Sequence, residues 1–260
     1  MKKHLSILLM LTLAPLASYG GPAEKKGMEI AKKADAADNG WKDLSSSMVM
    51  TLKDQHNRVV TRAIRNKTME VPGDGDKSLI IYDAPPDLKG TAFLSFTHVN
   101  KPDDQWLYLK SLKRVKRISS NNKSGPFMGS EFSYEDISSP ELDKYEYKYI
   151  KDEKVNGVDS YKVEQIPTYK YSGYEKIITW YNKSTYRPEK QVFYDRKGSK
   201  LKTLKFIQYK KYLGKFYRPD KMYMVNHLSG KTTTLIYKNY KFQNNYTDSD
   251  FDVNALKRAR

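Results

Sequence analysis

From residue 43 to residue 242 the chain is a succession of short runs in which side-chain character alternates at every second position. Gly, Pro, Asn and Asp close the runs. A pleated strand sends successive side chains to opposite faces, so this period demands β-structure. In the first run, LSSSMVMTL, Leu44, Ser46, Met48, Met50 and Leu52 point one way, and Ser45, Ser47, Val49 and Thr51 the other. Turn signals recur down the chain, and Asn156-Gly157 is the strongest of them for a tight hairpin. The runs do not alternate with helical patterns, which excludes a parallel sheet built from βαβ units. The spacing predicts about ten antiparallel strands. Strands of this length in one sheet curl into a barrel or an unclosed half-barrel.

Residues 22–38 break the pattern. Pro22 suits the first turn of a helix, Asn39-Gly40 suits its stop, and Ala23, Gly27, Ile30, Ala31 and Ala34 share one face. That small-residue face is expected to lie close against the sheet. At the other end, Phe251, Val253 and Leu256 are expected to fold the tail back. No Pro/Ser-rich linker divides the chain, so residues 21–260 read as one domain.

Residues 104–137, DQWLYLKSLKRVKRISSNNKSGPFMGSEFSYEDI, organise the rest. The run at residues 105–109 is apolar on both faces, Trp106 and Tyr108 on one, Leu107 and Leu109 on the other. A strand of that kind needs cover on both sides. Phe127, Met128, Phe132 and Tyr134 then place large apolar groups in loop-like surroundings, where they either fill a cavity or line one. Ser124-Gly125-Pro126 and Ser138-Ser139-Pro140 would serve as hinges for such a lid.

The first residues read as an export leader. Lys2 and Lys3 precede an apolar stretch too short to span a bilayer, and cleavage is expected after Gly20. The chain has no Cys, which removes the lipid-anchoring residue of a bacterial lipoprotein. The expected location is therefore the periplasm, without a tether. Net charge is +17; removal of Lys2 and Lys3 leaves +15. Such a balance attracts anionic headgroups or nucleic acid, and export argues against nucleic acid. The basic run Lys113, Arg114, Lys116 and Arg117 is either a docking surface for membrane or partner, or simply a solvated face.

Catalytic motifs are missing. The four histidines are scattered, and no HExxH, GxSxG, Walker A or GxGxxG pattern occurs. Glu131, Glu135 and Asp136 are close enough in sequence to suggest a carboxylate pair for glycoside chemistry, but acids at such spacing are usually solvated. Neither an enzyme nor a cofactor or metal is expected.

The motif DQWLYL-x2-LKRVKRI followed by NNKSGPFMGSEFSYEDI, from Asp104 to Ile137 and most specific between Gln105 and Asp136, resembles the outer-membrane lipoprotein-sorting protein family, similar in fold to the carrier LolA and its receptor LolB. The resemblance implies an unclosed antiparallel β-barrel with helices over its concave side and an apolar cavity between them. It implies a carrier that shields acyl chains or a lipoprotein in transit, with an RND-type (MMPL) exporter as a possible partner. The alternative is a docking subunit of such an exporter that carries nothing. Apolar area alone can hold an acyl chain, at roughly 0.8 kcal/mol per buried methylene. Flexible thioethers suit such a wall. The candidate cavity residues are Met48, Met50, Trp106, Leu107, Tyr108, Leu109, Phe127, Met128, Phe132, Tyr134, Met222 and Met224.

Overall fold

The computed structural model of the protein describes residues 20–258. The leader assigned to residues 1–20 lies, except for its last residue, outside them. Among the described residues, thirteen strands form one antiparallel sheet. They are β1 (Asp43–Lys53), β2 (Val59–Met69), β3 (Lys77–Ala84), β4 (Ala92–Phe96), β5 (Asp104–Leu109) and β6 (Arg114–Ile118), then β7 (Tyr145–Val155), β8 (Val158–Pro167), β9 (Tyr174–Asn182), β10 (Pro188–Asp195), β11 (Lys200–Tyr212), β12 (Phe216–Asn226) and β13 (Thr232–Phe242). Three α-helices among the described residues accompany them: α1 (Pro22–Asp38), α2 (Tyr134–Ile137) and α3 (Val253–Arg258). The strand count exceeds the ten or so expected, with β4 and β6 only five residues long.

The order across the sheet is β6-β5-β4-β3-β2-β1-β13-β12-β11-β10-β9-β8-β7. The chain begins in the middle with β1 and meanders outward to β6. It crosses to the far edge at β7 and meanders back until β13 pairs with β1. Strands β6 and β7 do not pair with each other, so the barrel stays open. Residues 119–144, which join these two edges, have to span the gap. Their aromatic part turns inward.

Inside the curve, Met50, Ile64, Tyr82 and Phe93 pack around Phe127 and Phe132 from the crossing segment. Phe127 and Phe132 are fully buried, and edge-on ring contacts join Phe127 to Phe93 and Tyr134. On the outer face, the tail folds back as expected. Phe251 and Leu256 cover Leu79, Ile81, Ala92 and Leu94. Strands β3 to β5 are thereby buried on both sides, which is what the two-faced apolar run at residues 105–109 requires.

Helix α1 lies on β7 to β9 through Ile30 and Ala31, which meet Tyr147, Val163 and Tyr181. Gly27 permits the close approach, since a Cβ there would stand 2.7 Å from the Tyr149 amide nitrogen. The helix thus shields the β7 edge, whose unpaired backbone would otherwise invite another strand. The β6 edge is shielded by charge instead: Arg114, Lys116 and Arg117 are exposed along it.

Candidate functional site

Two adjoining cavities lie on the inner face, away from the aromatic fill. The first, about 490 Å³, sits between α1 and strands β9 to β13. The second, about 610 Å³, sits between the loop at residues 99–103, the end of the crossing segment, residues 168–171 and strands β9 to β12. Both volumes fall in the range of roughly 300–1,000 Å³ typical of small-molecule sites. Ser139, Pro140, Tyr145, Ile177, Phe206 and Met222 line both, so these residues stand at the junction.

The walls are rich in tyrosine. Tyr145, Tyr147, Tyr181, Tyr209, Tyr237 and Tyr240 face the first cavity. Burial pushes the Tyr237 hydroxyl up to about 12, and Tyr145, Tyr147 and Tyr181 higher still. These phenols stay neutral at any physiological pH. Several hydroxyls are already engaged within the protein. Tyr181 accepts from Gln165 Nε2 at 3.0 Å, and Tyr209 donates to the Pro188 carbonyl at 2.5 Å. Their rings are therefore what a guest would meet.

The crossing segment is pinned within its apolar part. Arg62 Nη1 donates to the Met128 carbonyl at 2.6 Å, and the Glu131 amide donates to Thr233 Oγ1 at 3.0 Å. Ser133 caps α2 in a capping box with Asp136. The Asp136 carboxylate accepts from Lys202 Nζ at 2.5 Å and from the Tyr174 hydroxyl at 2.7 Å. Both members of the Lys202–Asp136 pair are 5% exposed. Glu135 accepts from Tyr169, from Ser172 Oγ at 2.5 Å and from the Gly173 amide at 2.9 Å. Burial raises the Glu135 carboxyl above its ordinary range, against the pull of those donors. Glu131 accepts from Asn226 Nδ2 at 2.7 Å. The acids that resembled a glycoside pair are thus latches between the crossing segment and the sheet.

At the divide between the cavities, Ser139 Oγ donates to Asp76 Oδ2 at 2.7 Å. Burial pushes the Asp76 carboxyl up to about 7, and the negative charges of Glu141, Glu70 and Asp38 act in the same direction. The folded protein therefore holds this proton more tightly than the unfolded chain, whose carboxyl titrates near 3.8. Stability is expected to fall as pH rises from about 4 to about 7. Asp76→Asn removes the effect and still accepts from Ser139. It is expected to raise the melting temperature at pH 8 and much less at pH 5. A shift of about three units sets a ceiling of about 4 kcal/mol at the higher pH, a ceiling because the residue as a whole is only half-buried. Thermal melts of both proteins at the two pH values check this.

Of the twelve cavity candidates, Met222 alone lines the hollow, and it lines both parts. Met48, Met50, Leu107, Phe127, Phe132 and Met224 are buried in the solid inner core, with Leu109, Met128 and Tyr134 half-buried against it. Trp106 and Tyr108 are on the outer face, packed with the tail cluster around Phe251. Their place in the cavity set is corrected by strand alternation: Gln105, Leu107 and Leu109 of that run face inward, and Trp106 and Tyr108 cannot. Lys113, Arg114, Lys116 and Arg117 are all exposed on or beside the β6 edge, where Arg117 pairs with Asp104. The hollow's own residues, Ile177, Gln191, Phe206 and the tyrosines, were not singled out from sequence. The available signal was the inward placement of Gln165, Thr179 and Gln191 on neighbouring strands, where Thr179 donates to Gln165 and accepts from Gln191, since a polar trio of that kind does not suit a solid apolar core.

A family model described as an uncharacterized protein matches residues 74–258. No curated protein matches the chain in sequence. Among solved structures, a domain from Vibrio parahaemolyticus, described as an outer membrane lipoprotein-sorting protein domain, is 54% identical, with 90% of this chain and 100% of that one covered and a TM-score of 0.89. A DUF1329 family protein from Desulfovibrio piger is 29% identical over 90% of this chain and 99% of its own, with a TM-score of 0.86. A LolA superfamily protein from Nitrosomonas europaea shares the fold at 22% identity, covering 88% of this chain and 98% of its own, with a TM-score of 0.70. An open antiparallel half-barrel, a crossing segment and a family match over most of the length agree: this chain belongs to the outer membrane lipoprotein-sorting family and has the LolA-like fold.

Proposed function

We propose that the protein is a periplasmic carrier that holds the acyl chain of a lipid or lipidated protein in the divided hollow and moves it between the inner and outer membranes. The observation that supports this most directly is the pair of adjoining cavities, whose tyrosine rings and aliphatic side chains meet around Ile177, Phe206 and Met222, with charged groups, Lys123, Glu135 and Lys144 among them, also lining the second. An acyl chain makes no hydrogen bonds and needs only such a wall. Ten methylenes buried at about 0.8 kcal/mol each give about 8 kcal/mol before ordering costs, the scale of micromolar binding. The role requires no catalytic group. No helix among the described residues is long and apolar enough to cross a membrane. Export by the leader and loading by an RND-type exporter complete the proposal.

Met222 stands where the two cavities meet, so Met222→Trp is expected to obstruct the hollow from within. Native mass spectrometry of protein prepared from the periplasm without detergent should find a lipid adduct on the wild type. The variant should lose most of that adduct at an unchanged melting temperature. A wild-type protein that carries no lipid, and takes up no fluorescent fatty acid, would end the carrier reading.

A further inference from the structure

In a meander, alternate turns lie at the same end of the sheet. The pairings Lys53 with Val59, Lys53 with Thr232, Val225 with Thr232 and Leu109 with Arg114 place the β1–β2, β12–β13 and β5–β6 turns together. The β3–β4, β8–β9 and β10–β11 connections share that end by the same alternation. Hairpin tips are normally polar. Here Val59 is 58% exposed, Val60 50%, Leu112 62% and Leu228 63%, all in or beside these turns. Tyr171, 40% exposed on the β8–β9 connection, belongs to the same rim and also lines the second cavity.

Between these apolar tips stand exposed cations, Lys53, Lys89, Lys113, Lys200 and Lys231, while the Arg58 guanidinium is paired with Asp54 at 2.6 Å. The acids on the same turns are largely occupied. Asp54 accepts from the His56 and Arg58 amides, and Asp195 from the Lys197 and Ser199 amides. Asp87 is exposed on the β3–β4 turn.

We infer that this end of the sheet docks on an anionic lipid bilayer. The aliphatic tips enter the headgroup layer, and the cations between them meet lipid phosphates. Separate apolar fingers around a curved rim do not form one continuous patch of the kind a protein partner would cover. A bilayer accepts each finger independently, and positive charge adds attraction to its anionic surface. Docking there would bring the Tyr171 side of the second cavity to the membrane. The inference stands independently of what the hollow carries.

The test is cosedimentation of the mature chain with vesicles of phosphatidylethanolamine and phosphatidylglycerol, with phosphatidylcholine vesicles as the neutral control. The wild type should bind the anionic vesicles and lose binding as salt screens the charges. Val60→Asp combined with Leu228→Asp should weaken binding about tenfold or more. Leu213→Asp, 53% exposed on the β11–β12 turn at the opposite end, should leave it unchanged. Met222→Trp should bind vesicles like the wild type even if it carries no lipid. In Leu228→Trp, brominated acyl chains should quench the new indole. Absence of binding to anionic vesicles, equal binding by the double variant, an equal loss in Leu213→Asp, or an unquenched indole would each overturn the assignment.

Discussion

Replacing Lys202 with methionine is expected to destabilise the fold by about 3–5 kcal/mol, the cost of leaving one buried charge without its partner. Lys202 reaches from β11 to the Asp136 carboxylate on α2, where both side chains are 5% exposed. Its ammonium also donates to the Glu131 carbonyl at 3.1 Å and stands 5.1 Å from the centre of the Tyr174 ring. Water cannot easily replace that cation. Asp136→Asn in the Lys202→Met background should recover a large part of the loss, because the amide is neutral and can still accept from the Ser133 amide. Urea denaturation of the two single variants and the double variant gives the coupling. A loss below about 1 kcal/mol for Lys202→Met would mean that solvent reaches the site, as it does for surface pairs.

Phe132→Ala should cost a similar amount, about 3–5 kcal/mol, and it separates two views of the crossing segment. From sequence, Phe127 to Tyr134 read equally well as a lid. In the structure Phe132 is 1% exposed and packed against the inner face, and hydrogen bonds fix the segment on either side of it. The expected result is a lower denaturation midpoint with lipid loading per folded molecule unchanged, because the hollow lies elsewhere. Loss of loading at full stability would restore the lid.

What could be read from sequence followed the range of the forces involved. Strand alternation is local, so the two faces of the run at residues 105–109 were visible in advance. Which face curves inward depends on the whole sheet, and Trp106 and Tyr108 were therefore grouped with the cavity although they meet the tail. Met48, Met50 and Met224 have the chemistry of a flexible wall, but the neighbouring Phe127 and Phe132 fill the space in front of them. The hollow lies instead under α1 and beside β8 to β12, where inward positions include Gln165 and Gln191. Lys202 read as one more lysine in a basic strand. Nothing within reach of its own sequence neighbourhood announces Asp136, which arrives 66 residues earlier in the chain. The curled antiparallel sheet and α1 were legible from strand period and from the pattern of residues 22–40, and the helices over the concave side through the family resemblance carried by residues 105–136.

The pairing of β1 with β13 has a consequence for biogenesis. During synthesis the first six strands emerge as a ribbon with an unsatisfied backbone at each border, and the strand that seals the β1 border is the last one made. The apolar outer side of β3 and β4 waits even longer, for Phe251 and Leu256. Contacts this distant in sequence form slowly, and incomplete sheets associate with one another. A ribosome-stalled or truncated chain ending before residue 232 should therefore be a sticky species, in need of a holding chaperone until residues 232–256 appear.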